Sequence, residues 1–227
     1  MKKIAILFTL VLIVTATYAQ RDYDNEFYFR FGYSNPSWQT YGMNESDWEN
    51  GFSKRGAMFE IGTIFMLNFI QMPDNIRLGI NVDYLTIYGH QFYNKNYSFE
   101  NGMNSIRFDV INFRVGSKVG PSFTFSPSKK VAFDFYVKAN IAWLTETALI
   151  YDEDIEDSDW YQSIGAVGLS TGANIRLGIV MLGFEYNTIS PKLEYEDVSG
   201  EYLGDANDPD SDKSTLPSVN FSIGLSF

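Results

Sequence analysis

Asp208, Asp210 and Asp212 stand at alternate positions in "DANDPDSD", the spacing with which a loop presents carboxylates to a hard cation. The rest of such a loop is missing. Lys213 occupies the place where an EF-hand turns on glycine, and Val219 the place of its bidentate glutamate. The three aspartates are therefore candidate metal ligands with an incomplete shell, suited at most to Ca²⁺ or Mg²⁺ bridging to phosphates of lipopolysaccharide. A second run, "DEDIEDSD" at 152–159, holds six acids in eight residues and reads as a self-repelling, solvated loop. His90 is the single histidine. In a lipid acyl hydrolase it would need a serine on one side and a carboxylate on the other, and no serine spacing picks one out. The carboxylate pair of a barrel protease does not stand apart from the loop acids either. The lack of cysteine removes thiolate metal sites, disulfides and cysteine nucleophiles. No catalytic residue and no cofactor is assigned, and the chain is not read as an enzyme.

The elements that carry these residues begin with an export signal. Lys2 and Lys3 precede an apolar run from Ile4 to Val14 broken only by Thr9, and Thr17-Tyr18-Ala19 sets small residues three and one before a cut at Gln20. This is the pattern of a cleaved secretory signal peptide, 1–19, ahead of one domain, 20–227. Cleavage takes two lysines from the 17 Lys and Arg and nothing from the 28 Asp and Glu, so the mature chain is more acidic than the formal charge of −11. A basic surface for nucleic acid is excluded. No later apolar run approaches the roughly 20 residues of a membrane helix. A closed β-barrel is then the one way for the mature chain to cross a bilayer.

Period-two alternation recurs eight times, the mark of strands with one apolar and one polar face. It runs through "EFYFRFGY", "AMFEIGTIFML", "IRLGINVDY", "FRVGSKVGPSFTF", "VAFDFYVKANIAW", "SIGAVGLSTGANIRL", "VMLGFEYNT" and "SVNFSIGLSF". Connections alternate in length. Long polar stretches lie at about 35–55, 89–104, 145–160 and 191–216, and short turns at "QMPDN", "SPSKK" and Gly178. Long loops at one end and short turns at the other suit an outer-membrane barrel. In 105–113 the parity of Ile106, Phe108 and Val110 conflicts with that of Phe113 and Val115, which predicts a bulge there.

The charges decide which face meets lipid. Arg30, Arg77, Arg114, Lys118, Lys138 and Arg176 share the polar parity with Glu60, Asp83, Asp134 and Glu185. Each Arg or Lys facing lipid near the midplane costs about 2–4 kcal/mol. Six would cost on the order of 12–24 kcal/mol, more than a typical total stability of about 5–15. In a membrane this face must point inward, with the ions paired across a lumen that eight strands leave just wide enough for side chains. The aromatics predict two girdles. Trp38, Trp48, Trp143, Trp160, Tyr33, Tyr84, Tyr88 and Tyr186 fall toward the long loops, and Phe27, Phe69, Phe125, Phe133 and Phe227 toward the short turns.

The last strand, with Phe221, Ile223, Leu225 and a terminal Phe227, resembles the C-terminal signature of Gram-negative outer-membrane proteins. The mature chain as a whole resembles the small eight-stranded barrels: the OmpA transmembrane domain, OmpX, OmpW and the "porin family" barrels related to PorT. That resemblance implies recognition of the Phe227 strand by the barrel assembly machinery. It also permits a PorT-like role in a secretion system. The expected protein is an all-β, eight-stranded antiparallel up-and-down transmembrane barrel, monomeric, in the outer membrane among its lipids and lipopolysaccharide. Its expected role is structural or surface-interactive, with acidic, aromatic extracellular loops that could meet an extracellular or envelope protein. A narrow channel for small solutes is the alternative, and a membrane-embedded lipid hydrolase the last.

Overall fold

The computed structural model describes residues 25–37, 53–97, 106–151, 156–190, 194–195 and 215–227. The signal peptide, Trp38, Trp48, residues 152–155 of the first acidic run, and Asp208, Asp210 and Asp212 lie outside the described residues. The strands are β1 (Glu26–Pro36), β2 (Ser53–Met66), β3 (Ile76–Tyr97), β4 (Ile106–Ser128), β5 (Val131–Tyr151), β6 (Glu156–Leu177), β7 (Val180–Ser190), a two-residue β8 (Glu194–Tyr195) and β9 (Ser218–Ser226). Each long strand pairs antiparallel with its neighbour in the chain, and β9 pairs with both β7 and β1, which closes an eight-stranded barrel. β8 only adds two pairs to β6, at Tyr161 and Gln162. At the seam Phe27 and Phe227 exchange both backbone hydrogen bonds, at 3.1 and 2.8 Å. Gly32 of β1 crosses so close to β9 that a Cβ there would lie 1.9 Å from the Phe221 carbonyl oxygen.

Connections differ sharply between the two ends. β6 and β7 are joined by Gly178 and Ile179 alone, with Gly178 at φ 62°. Glycine first in a two-residue hairpin is the requirement of a type II′ turn, whose twist matches the strands. Gly178→Val is expected to cost about 1–2 kcal/mol, because a side chain there clashes with its own carbonyl. A lowered urea midpoint in detergent measures it.

At the other end the strands outrun the expected loops. β3 to β6 have 22, 23, 21 and 22 residues, against 11, 11 and 9 in β1, β7 and β9. About 9–11 tilted residues cross a bilayer, so these four continue as a paired sheet well past the barrel rim. Most of 145–160, expected as a loop, is strand: after a one-residue register shift between Ala142 and Leu144, β5 and β6 stay paired as far as Tyr151 opposite Glu156. Polar composition concealed this, because strands pair through their backbones and the pairing itself needs no apolar face.

The bulge predicted in 105–113 is not on β4 itself: the β3–β4 register shifts there, between Asn94–Phe108 and Tyr97–Ile106, with the extra residue on β3. β4 pairs with β5 without a shift from Arg107–Tyr151 to Val119–Ala139. Val110 keeps the inward parity of Asn112 and Arg114 and is buried. A further irregularity lies in β3, where Tyr84 and Leu85 together oppose Ser117 between the pairs Asp83–Lys118 and Thr86–Gly116. Ser117 Oγ donates to the Tyr84 carbonyl there, at 2.8 Å. One extra residue exchanges the two faces of everything beyond it.

Candidate functional site

The side chains of the strands sort by parity into two environments. Outward-facing Phe31, Phe135, Val137, Ile141, Val167, Leu169 and Phe221 are all more than half exposed. Inward-facing Arg30, Arg114, Lys118, Lys138 and Arg176, with Glu26, Glu60, Asp83, Asp134 and Glu185, are at most 4% exposed. This is an inside-out barrel. Five cations turned to lipid would cost on the order of 10–20 kcal/mol, so the exposed apolar face is the only one hydrocarbon can cover.

The centre of the lumen is an ionic network built around Glu185 of β7. Its carboxylate accepts from Lys118 Nζ at 2.5 Å, Arg30 Nη2 at 2.9 Å, Tyr136 OH at 3.1 Å and Tyr88 OH at 3.2 Å, and Lys138 Nζ lies 3.4 Å away. Glu60 of β2 accepts from Lys118 Nζ at 2.5 Å, from Tyr88 OH at 2.6 Å and from Arg30 Nε. Asp83 of β3 takes Lys138 Nζ at 2.5 Å and the Tyr28 hydroxyl. Arg30 Nη1 completes its set on Asn174 Oδ1 at 2.9 Å and Tyr136 OH at 3.0 Å. Seven strands thus contribute to one cluster, which ties opposite walls of the barrel together. Buried ions are tolerable only when bonded in this way.

Two further layers close the ends. Toward the short turns Arg176 grips Asp134 through two bonds of 2.8 Å, pairs with Glu26, and shares Asp134 with the Thr124 hydroxyl at 2.6 Å. Tyr28, Ile64, Met66 and Met181 form an apolar cluster at that end. Toward the long loops Phe92, Val110, Ala142, Leu144, Ala166, Ile189 and Leu216 make an apolar plug. Asn140 bonds Ser170 at 2.8 Å and Asn187 at 2.6 Å.

Several expectations change. The four expected acids face inward, as do five of the six cations, but Arg77 is only half-buried, beside the 67–75 connection at the rim. Glu26, at the inward parity of Arg30, joins the acids. Tyr88 does not join the outer girdle: the β3 irregularity turns it into the lumen, 1% exposed. Tyr33, Tyr84, Tyr186 and Trp143 do project outward toward the long loops, and Phe27, Phe69 and Phe227 at the other end. The apolar plug was missed, and its one signal was the parity conflict at Val110.

His90 is not a loop residue. It lies inside the barrel, 1% exposed, with Nε2 2.7 Å from Ser34 Oγ. The pair has the types of a hydrolase but the wrong wiring. Ser34 gives its one proton to Asn220 Oδ1 at 2.6 Å and so accepts from His90. Ser34 is fully buried, and no acyl group can reach it in this state. Among the described residues no group of three His, Asp or Glu is placed to hold a metal ion.

No protein-family model and no curated protein matches the sequence. Among solved structures, Ail, the attachment invasion locus protein of Yersinia pestis, in complex with the heparin analogue sucrose octasulfate, shares 14% identity at TM-score 0.44, over 90% of this chain and 99% of that one. The outer membrane protease OmpT from Escherichia coli shares 11% at TM-score 0.49, over 91% and 97%. A major outer membrane protein from Thermus thermophilus shares 12% at TM-score 0.45, over 90% and 100%. At these values the likeness carries nothing about activity. The barrel assignment stands on strand register and burial.

Proposed function

We propose that this protein is an outer-membrane anchor with a solid lumen, which holds a projecting sheet and acidic, aromatic loops outside the cell for contact with an envelope or extracellular partner. The observation that carries this reading is the pairing of an apolar exterior with an ionic interior whose members bind one another across the barrel. An open pore would need water where Glu185, Lys118, Arg30 and Lys138 meet. The extension of β3 to β6 past the rim supports a surface role, because a sheet of that length serves no purpose in crossing a bilayer. The reading is non-catalytic: Ser34 and His90 lie beneath the apolar plug with their protons committed elsewhere. Purified protein is accordingly expected to release no fatty acid from phospholipid vesicles.

Planar-bilayer recording tests the solid lumen. The expected result is no stable conductance step. A stable large conductance from protein that still shows heat-modifiable gel mobility refutes it. Protease applied to intact cells tests the outward loops, with cleavage expected in the long connections and none in the short turns.

A further inference from the structure

We propose that the lumen binds a small monovalent inorganic anion, a halide such as chloride, at the guanidinium of Arg114. Arg114 projects from β4 between Tyr88 of β3 and Leu144 of β5. It is 1% exposed, yet Nε, Nη1 and Nη2 all lack a hydrogen-bond acceptor among the described residues. The face of the Tyr88 ring lies 4.5 Å from Cζ. A ring face offers a desolvated cation about 2 kcal/mol. It satisfies none of the five N–H donors a guanidinium carries.

Charge counting selects an anion over water. In the middle of the barrel Arg30, Lys118, Lys138 and Arg114 face only Glu60, Asp83 and Glu185 among the described residues, and those three acids are engaged by the first three cations. The buried acids Asp134 and Glu26 are bonded to Arg176 at the short-turn end. Four cations against three acids leave one positive charge over in the middle layer, offset only by the second acid on Arg176 at the short-turn end, and it is fixed at Arg114. A water molecule accepts hydrogen bonds but leaves that charge uncompensated, whereas a monovalent anion does both. The apolar plug containing Phe92, Val110 and Leu144 lies on the long-loop side of Arg114 and the ionic network on the other. A compact, weakly hydrated halide matches such walls. A divalent oxyanion would reverse the local charge excess.

The test uses the full mature barrel refolded in detergent at fixed ionic strength, in sodium gluconate or with gluconate replaced stepwise by sodium bromide. The melting temperature is expected to rise with the logarithm of bromide concentration above its dissociation constant, reaching about 3–6 °C at a tenfold excess over it. Arg114→Met is expected to show no such rise. No rise in the native barrel, or an equal rise in both, overturns the proposal. Crystals soaked in bromide decide the matter without any variant. An anomalous peak within hydrogen-bonding distance of the Arg114 nitrogens is expected. Water or one of the chain's own loop carboxylates at that position overturns it.

Discussion

Glu185→Gln is expected to remove about 3–5 kcal/mol of stability, the cost of breaking a buried ion pair from one side. The amide keeps the shape of the side chain but not its charge. Arg30, Lys118 and Lys138, all within 3.4 Å of the carboxylate, would then share Glu60 and Asp83 alone. The new amide would also turn donors toward Lys118 or Arg30, where two acceptor oxygens now sit. Urea titration in lipid vesicles, followed by heat-modifiable gel mobility, measures the loss. Double substitution with Lys118→Met is expected to recover part of it, because one of the stranded cations goes too. Equal stability of Glu185→Gln and the native barrel would mean that the lumen is wet enough to screen its charges.

The second large effect lies on the opposite face of the same wall. Val137 is 51% exposed and its neighbour Lys138 is fully buried. Val137→Arg is expected to cost about 2–4 kcal/mol in vesicles, since it places a charge against hydrocarbon. Val137→Leu is expected to cost almost nothing. On a water-facing surface both changes would fall within about 0.5 kcal/mol of native. A negligible penalty for Val137→Arg would therefore remove the lipid from that face and with it the inside-out assignment.

Both predictions rest on adjacent residues whose roles differ only by parity, and parity is the part of this protein most legible in its sequence. Phe29, Phe31 and Tyr33 alternate with Tyr28, Arg30 and Gly32, and the structure separates them as that pattern requires. The same holds for the strands on either side of Gly178, and the turn itself lies where glycine marks it. The inward ions were legible because charge on a sheet face has few places to go: water, or one another.

Alternation carries no information about where it breaks. The extra residue at Tyr84–Leu85 has no compositional mark, yet it sends Tyr88 and His90 inward and sets the Tyr88 hydroxyl 2.6 Å from Glu60 and 3.2 Å from Glu185. The extra residue expected in 105–113 lies on the facing strand, between Asn94 and Tyr97, and leaves the parity of Val110 unchanged. An apolar residue can keep the inward parity when others from β3, β5, β6 and β7 meet it there.

From its residues alone the chain was bound to make eight amphipathic strands with charge on one face and hydrocarbon on the other, because backbone geometry imposes a period of two and the cost of exposed charge assigns the faces. Which cation meets which acid was settled only by closure. Partners such as Arg30 and Glu185, 155 positions apart, are brought together by strand tilt and register around the whole barrel. The β3–β4 register sets Arg114 against the Tyr88 ring face, with no carboxylate among the described residues within hydrogen-bonding reach of its nitrogens.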